Sequence, residues 1–182
     1  MLITRRAFLK ASLAAAAYAA APSLAYAYRA SRKLHLYNVH TGESVKTTYF
    51  ENGEYIPGAL KEIDKVLRDH RTGEVLPMDR PLLDLIELLH AKMETTQPFE
   101  VISGFRSPQS NALLYKTTSG VASNSYHMYG RAMDVRLSNR ATKNLRAMAW
   151  NMQLGGVGYY PDSDFVHVDT GKVRSWDNAP PA

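Results

Sequence analysis

The 182-residue sequence contains no cysteine. This absence excludes disulfide bonds, thiolate zinc sites, iron–sulfur clusters and cysteine nucleophiles, so a bound metal would need histidine, aspartate or glutamate ligands. An excess of one charge is also missing, because 22 basic residues face 17 acidic ones. We therefore expect no nucleic-acid partner, since such proteins usually carry a concentrated basic face. With 45% hydrophobic residues, the chain has enough apolar side chains for one folded domain.

Long apolar runs are also missing, except near the start of the chain. Residues 1–27 combine Arg5, Arg6 and Lys10 with an alanine-rich stretch and an Ala-Tyr-Ala cleavage site. The apolar stretch is too short for a membrane span. Without residues 1–27, 19 basic residues face 17 acidic ones. The sequence therefore predicts an export signal at 1–27 and a functional domain at 28–182, with no stable membrane span after cleavage.

The segment around the arginine pair resembles a twin-arginine signal, with Phe8, Leu9 and Lys10 following the pair. This likeness predicts that the twin-arginine export machinery is a partner and that the protein resides in the periplasm. Two alternatives stay open: an ordinary secretory signal, and an uncleaved signal that acts as an anchor. The sequence gives no oligomeric state.

The hydrophobic spacing predicts an α+β fold, a single domain in which helices flank a small antiparallel sheet. Strands are expected at 34–39, 44–50, 99–103, 131–137, 155–160 and 165–169. Helices are expected at 56–70, from about 79 to 93, at 109–116 and at 140–153, with Asp79 as the N-cap of the second. No regular structure is expected after Trp176.

Polar residues that interrupt predicted strands are the candidates for chemistry, because a buried charge is costly unless it is paired or bound to a metal. Asp134 lies between Met133 and Val135, and His167 lies between two valines. Since side chains alternate along a strand, both polar groups point away from their apolar neighbours. His127 lies seven residues before Asp134, in the loop that enters the strand.

Two imidazoles and one carboxylate fit a Zn²⁺ site that keeps a fourth position for water, as catalytic zinc sites do. A nearby carboxylate can then accept the proton of that water. Asp164, three residues before His167, is the candidate base, although an ideal strand would turn it away unless the preceding turn bends. Two alternatives remain: His127 as a surface histidine, and Asp134 with His167 as a hydrogen-bonded pair. His35, His40, His70 and His90 have no ligand at a useful spacing.

Three ordered motifs resemble the zinc D-alanyl-D-alanine peptidase superfamily. SYHMYGRAMD at 125–134 resembles its S-x-H-x-x-G-x-A-x-D signature, DFVH at 164–167 its second motif, and SGFRS at 103–107 its S-G-[FY]-R-S turn. The opening L-x-L-x-N-x-H-T-G-E at 34–43 and the ending VHVDTG at 166–171 are most similar to the murein endopeptidase branch, the MepK type. The resemblance implies the fold shared by D-Ala-D-Ala peptidases and hedgehog-type domains.

The resemblance implies that His127, Asp134 and His167 bind zinc and that Asp164 is the general base. Many relatives have glutamate at the position of Asp164, which is shorter by one methylene. The resemblance also implies that Arg106 stabilises an oxyanion or a substrate carboxylate; the alternative is a salt bridge in a turn.

Three further residues are weaker site candidates. Ser125 is expected to contact substrate or, alternatively, to bond the loop backbone. Asp169 is expected to orient a ligand histidine or, alternatively, to be a surface turn acid. Tyr159 is expected to line the cleft or, alternatively, to pack in the core.

The resemblance and the export signal together predict a periplasmic zinc metallopeptidase that acts on peptidoglycan peptides, as a murein endopeptidase or a D,D-carboxypeptidase. A catalytically inactive, zinc-containing module that binds cell-wall peptides is the alternative function, and a structural domain without metal is a third. D-Ala–diaminopimelate cross-links, diaminopimelate–diaminopimelate cross-links and terminal D-Ala are all compatible with the sequence. The segments at 117–124 and 159–162 are expected to set the specificity.

Overall fold

A computed structural model of the protein describes residues 31–118 and 120–177. The predicted export signal at 1–27 therefore lies outside the described residues, as do residues 178–182. Within the described ranges, no helix combines the length and the apolar character needed to cross a membrane.

The fold is built on one eight-stranded sheet with the strand order β3-β2-β1-β4-β5-β7-β6-β8. Five strand pairings are antiparallel and two are parallel, β1 with β4 and β6 with β8. The strands are β1 Ser31–Asn38, β2 Ser44–Glu51, β3 Glu54–Tyr55, β4 Phe99–Ser103, β5 Ala132–Arg136, β6 Gly156–Tyr160, β7 Phe165–Asp169 and β8 Arg174–Asp177.

The described residues form four α-helices: α1 Pro57–Val66, α2 Arg80–Lys92, α3 Pro108–Thr117 and α4 Thr142–Met152. Of these, α1, α2 and α4 pack against the sheet. The apolar stripe of α2 supplies much of the core, with Leu82, Ile86 and Leu89 fully buried. Each such side chain contributes about 1.5–3 kcal/mol to folding when it leaves water. Because the helices bury one face of each central strand, the polar side chains of those strands are left on the other face.

The α+β single-domain prediction is confirmed, but the sheet is larger than expected. β3 and β8 were not predicted, and the parallel pairings of β1 with β4 and of β6 with β8 make the sheet mixed rather than antiparallel. α1 ends at Val66 rather than near residue 70, because the chain turns after Leu67 and Asp69 fixes that turn. Asp79 occupies the N-cap position of α2, but its side chain makes no capping bond and accepts from Thr170 Oγ1 at 2.9 Å instead.

Candidate metal centre

Strands β5 and β7 place two of the candidate ligands side by side. Asp134 is opposite His167 in the antiparallel register, while their neighbours Val135 and Val166 pack in the core. The alternation of the two strands therefore aims a carboxylate and an imidazole at the same point, on the face away from the core helices α1, α2 and α4. Both residues are buried.

His127 reaches the same point from a short 3-10 helix, Tyr126–Tyr129, that enters β5. Ser125 caps this helix by accepting from the His127 amide at 3.4 Å, and Gly130 ends it in a left-handed conformation at φ 63°. A side chain at Gly130 would also lie 2.9 Å from the Pro77 carbonyl oxygen. The serine and the glycine of the S-x-H-x-x-G motif thus shape the turn that carries the histidine.

The three candidate ligand atoms form a small triangle. His127 Nε2 lies 3.2 Å from His167 Nδ1 and 3.2 Å from Asp134 Oδ1, and the last two atoms are 2.8 Å apart. Zinc bonds of about 2.0–2.1 Å in a tetrahedron separate neighbouring ligands by about 3.3 Å. The triangle therefore fits one face of a zinc tetrahedron, with the fourth corner left for another ligand. Among the described residues, these three form the only group of three or more histidine, aspartate or glutamate side chains whose ligand atoms lie close enough together to hold a metal.

The outer nitrogen of each histidine is fixed by a hydrogen-bond acceptor. His127 Nδ1 donates to the Gly104 carbonyl at 2.7 Å, and His167 Nε2 donates to Asp169 Oδ2 at 3.0 Å. When both rings are neutral, as metal binding requires, these outer nitrogens carry the protons and the inner nitrogens present lone pairs to the common point. This explains why a hydrogen-bonded pair of Asp134 and His167 is an incomplete interpretation: it gives no function to the lone pair of His127.

Without a metal, the pKa values of the two histidines are shifted in opposite directions. Burial lowers the pKa of His127, and the attraction of Asp134 only partly opposes this effect. Burial also opposes a charge on His167, but its hydrogen bonds to Asp134 and Asp169 outweigh it and raise its pKa to about 9. Both carboxyl groups have pKa values held well below their usual range, against burial, by the contacts with these histidines and, for Asp169, with Arg174.

Arg106 lies beside the cluster at the start of the segment that follows β4. It is buried, and its guanidinium NH2 lies 3.7 Å from Asp134 Oδ2 and 3.3 Å from Ser103 Oγ. Its Nε has no hydrogen-bond partner among the described residues. Burial lowers the pKa of Arg106, although Asp134 opposes that shift. The ion pair expected as the alternative thus exists, and the same guanidinium also lines the cleft.

An open cleft of about 590 Å³ leads to the cluster. Both segments that were expected to set specificity contribute to it, through Thr118, Val121, Ala122 and Asn124 of one and Tyr160 and Asp162 of the other. Asn111 of α3 fastens the first segment by donating to the carbonyls of Ala122 and Ser123 at 3.1 and 3.0 Å. The ligand triangle is therefore accessible to a peptide-sized molecule from one side.

Asp164 is the one predicted catalytic residue that does not come to the cluster. It is 62% exposed, its Oδ1 accepts from Thr142 Oγ1 at 2.9 Å, and its Oδ2 lies 3.8 Å from Arg136 NH1. The preceding turn leaves Asp164 at φ 51° with its carboxylate at the N-terminus of α4, and the side chain does not line the cleft. The expectation that this turn bends Asp164 round to the metal site is thus not met here.

The three weaker candidates are distributed differently. Ser125 both lines the cleft and bonds the loop backbone, while Asp169 is fully buried against His167. Tyr159 packs against the hydrophobic core and does not line the cleft, because it is opposite Val166 in the register. Its neighbour Tyr160 points to the other face and lines the cleft instead.

Sequence reasoning missed several residues that shape the site. Arg174 holds Asp169 with two hydrogen bonds of 2.7 and 3.0 Å, and Trp176 lies 5.2 Å from the His167 ring. Both belong to β8. The sequence of this strand has no alternation of apolar and polar residues that would have predicted it. His40, which received no function from its spacing, also lines the cleft. Its neighbours in space come from segments distant in the chain.

Comparison with known proteins gives consistent matches. The family model described as peptidoglycan L,D-endopeptidase MepK matches residues 26–176. The chain is 42% identical over 145 residues to the peptidoglycan L,D-endopeptidase MepK of Escherichia coli strain K12, with 80% of each protein covered. The protein of the same name from Shigella flexneri matches to the same extent. A probable peptidoglycan L,D-endopeptidase MepK of Haemophilus influenzae is 38% identical over 140 residues, which cover 76% of this chain and 75% of that protein.

Proposed function

Because this chain belongs to the family of peptidoglycan L,D-endopeptidase MepK, we propose that it is a zinc-dependent, exported murein endopeptidase. It hydrolyses an amide bond in the peptide part of peptidoglycan. The observation that carries the proposal is the convergence of His127 Nε2, Asp134 Oδ1 and His167 Nδ1 within 3.2 Å of one another at the base of an open cleft.

The zinc ligands in this proposal are His127, Asp134 and His167, which match the metal by donor type and spacing. A zinc ion held there supplies Lewis acidity, which polarises a scissile carbonyl and makes water a stronger nucleophile. The Gly104 carbonyl and the Asp169 carboxylate keep both imidazoles in the tautomer that such binding needs.

Arg106 has the position and charge to stabilise the negative charge that develops on the carbonyl oxygen of an amide under attack. Its guanidinium is fixed by Ser103, Asn111 and Asp134, so little reorganisation is needed when charge develops nearby. The proposal assigns no proton transfer to Asp164, whose carboxylate is bonded to Thr142.

For the bond that is cleaved, we propose one between an L centre and a D centre. The names of the relatives favour this choice over bonds between two D centres. Of the three compatible linkages, D-Ala–diaminopimelate and terminal D-Ala–D-Ala join two D centres. The direct diaminopimelate–diaminopimelate cross-link joins an L carbonyl to a D amine, so we propose this cross-link as the substrate.

The decisive experiment digests purified sacculi with the zinc-loaded mature domain and separates the released muropeptides by mass. The proposal predicts products of diaminopimelate–diaminopimelate cleavage, their loss with His127→Ala, and their retention with His70→Phe, a histidine variant outside the cluster. Release by wild type and His127→Ala alike would contradict the proposal, as would no release by the zinc-loaded wild type.

The export part of the proposal places the mature protein in the periplasm, where its substrate lies. It is supported by the twin-arginine pattern of residues 1–27 and is tested by replacing Arg5 and Arg6 with lysine. Export by the twin-arginine route predicts that the double variant accumulates in the cytoplasm. Unchanged secretion would favour an ordinary secretory signal.

A second function is favoured by one observation: Asp164, the expected base, is bonded away from the cluster. A catalytically inactive, zinc-containing module would bind cell-wall peptides in the cleft without cleaving them. It predicts that the zinc-loaded protein binds cross-linked muropeptides and leaves them intact by mass, whereas the endopeptidase converts them.

A further inference from the structure

The cleft contains a second arginine that the proposed chemistry does not use. Arg71 lies in the turn after α1, is exposed, and lines the cleft together with Arg106 and His40. Its backbone N–H donates to Asp69 Oδ1 at 2.9 Å. Within residues 31–118 and 120–177, its guanidinium has no ion pair or hydrogen bond, so its five donors are available to a ligand.

The position of Arg71 is fixed by a buried carboxylate. Asp69, only 1% exposed, accepts from the Arg71 amide through Oδ1 and from the Ser107 amide through Oδ2 at 2.8 Å. Ser107 directly follows Arg106 in the chain. Asp69 therefore ties together the two segments that carry the arginines, and Arg71 is presented from a rigid turn.

Among the described residues that line this side of the cleft, Arg71 has no acidic partner, so its charge remains uncompensated. Arg106 is paired with Asp134, and both oxygens of Asp69 are occupied by backbone amides. The remaining acidic residue that lines the cleft, Asp162, is on the turn between β6 and β7. An exposed guanidinium beside a second one creates a positive potential that favours an anionic ligand.

We propose that Arg71 is a carboxylate-binding subsite that recognises a free carboxylate of the peptidoglycan stem near the scissile bond. This inference rests on the proposed function and makes it more specific. A guanidinium matches a carboxylate in geometry and binds it through two parallel hydrogen bonds. Peptidoglycan stems carry free carboxylates on glutamate and on diaminopimelate, and Arg71 selects substrates in which one of these is ionised.

The experiment compares three synthetic cross-linked peptides with the zinc-loaded protein: one with all carboxylates free, one amidated on glutamate and one amidated on diaminopimelate. For wild type, amidation of the recognised carboxylate raises KM about fivefold with little change in kcat, the effect of a partly exposed ion pair. Arg71→Gln raises KM about fivefold for the free peptide and abolishes the discrimination, whereas Arg71→Lys retains part of it.

Lys61→Gln is the matched control, because Lys61 is exposed on α1, outside the cleft, and the variant removes the same charge. It should behave as wild type. The subsite is refuted if Arg71→Gln keeps the wild-type KM for the free peptide, or if wild type cleaves all three peptides equally.

Failure of the proposed function gives a different result, namely no cleavage of any peptide by wild type. In that case, calorimetric binding of the same peptides still tests the subsite. Wild type should bind the free peptide about fivefold more tightly than Arg71→Gln does, and equal dissociation constants would overturn the inference.

Discussion

The protein contains two pairs of neighbouring histidines in different environments. The rings of His127 and His167 meet edge to face with centroids 5.1 Å apart, whereas those of His40 and His70 stack at 3.8 Å. The first pair is enclosed by Asp134 and Asp169. In the second pair, burial, His40 and Arg71 lower the pKa of His70 to about 4, and the attraction of Asp69 opposes this shift only in part.

The difference shows that proximity of two imidazoles does not make a metal site. In the first pair, fixed acceptors hold the outer nitrogens, so the inner nitrogens face a carboxylate oxygen at a common point. In the second pair, His40 Nε2 is next to the Ile102 carbonyl at 3.0 Å, and no carboxylate completes a ligand set among the described residues. The two pairs therefore differ in their hydrogen-bond acceptors and in the presence of a carboxylate ligand, and not in the number of histidines.

The largest expected effect comes from breaking the first pair. His167→Ala should abolish zinc binding, which we expect to fall from about one ion per chain to none, since even residues that merely support ligands change affinity by about 10–100-fold. His70→Phe, in the second pair, should keep the full zinc content. Elemental analysis after gel filtration measures both. Zinc retained by His167→Ala, or lost from His70→Phe, would contradict the distinction between the pairs.

A smaller effect is expected when only Asp169, the hydrogen-bond acceptor of His167 Nε2, is changed. Asp169→Asn no longer offers two anionic oxygens to His167 Nε2 and Arg174, so zinc should bind about 10–100-fold more weakly. Competition with a zinc-binding dye gives the affinity. Asp177→Asn, which removes an exposed acid on the same strand as Arg174, is the control. Equal affinities of both variants would mean that the acceptor does not matter.

Much of the first pair was predictable from the sequence, because its signals are local. Charges between apolar strand residues identified Asp134 and His167, and the motif with Ser125 and Gly130 identified the turn of His127. The second pair was not predictable, since His40 and His70 come from different segments joined by long-range contacts. The same reason hid the parallel strand β8, which carries Arg174.

The fold was predicted for similar reasons. The stripe of α2 and the alternation of β5 and β7 are local patterns. All three elements were found, β7 with the predicted ends and α2 and β5 slightly shorter than predicted. Asp164 was misplaced because its direction depends on a turn with a positive φ, which the sequence does not specify. The register of β6, which turns Tyr160 rather than Tyr159 to the cleft, also depends on pairing with β7.

A third and smaller effect is expected at Asp164, a carboxylate that lies away from the first pair. Asp164→Ala removes the hydrogen bond to Thr142 and should destabilise the protein by about 1 kcal/mol. Because its carboxylate does not line the cleft, kcat should stay within about threefold of wild type. Thermal unfolding and steady-state cleavage of a cross-linked muropeptide measure the two effects. A loss of kcat of about 100-fold or more with unchanged KM would show that Asp164 acts on the reaction after all.

The smallest expected effect concerns the second pair and is a pH dependence of stability. The pKa of His70 is about 4 in the folded protein, and the ordinary value in an unfolded chain is about 6.5. Between these values the unfolded chain binds a proton that the folded protein does not, so stability is complete above pH 6.5 and falls as the pH approaches 4. Solvent screening reduces this contribution because His70 is only half-buried.

His70→Phe keeps a ring for stacking on His40 but cannot titrate. We therefore expect the drop in Tm between pH 7 and pH 4.5 to be about 2 °C smaller in this variant than in wild type. Differential scanning calorimetry at several pH values measures the difference, with His90→Phe as a histidine control outside both pairs. If wild type and His70→Phe lose stability in parallel, the second pair contributes no proton linkage, and its contrast with the first pair is purely geometric.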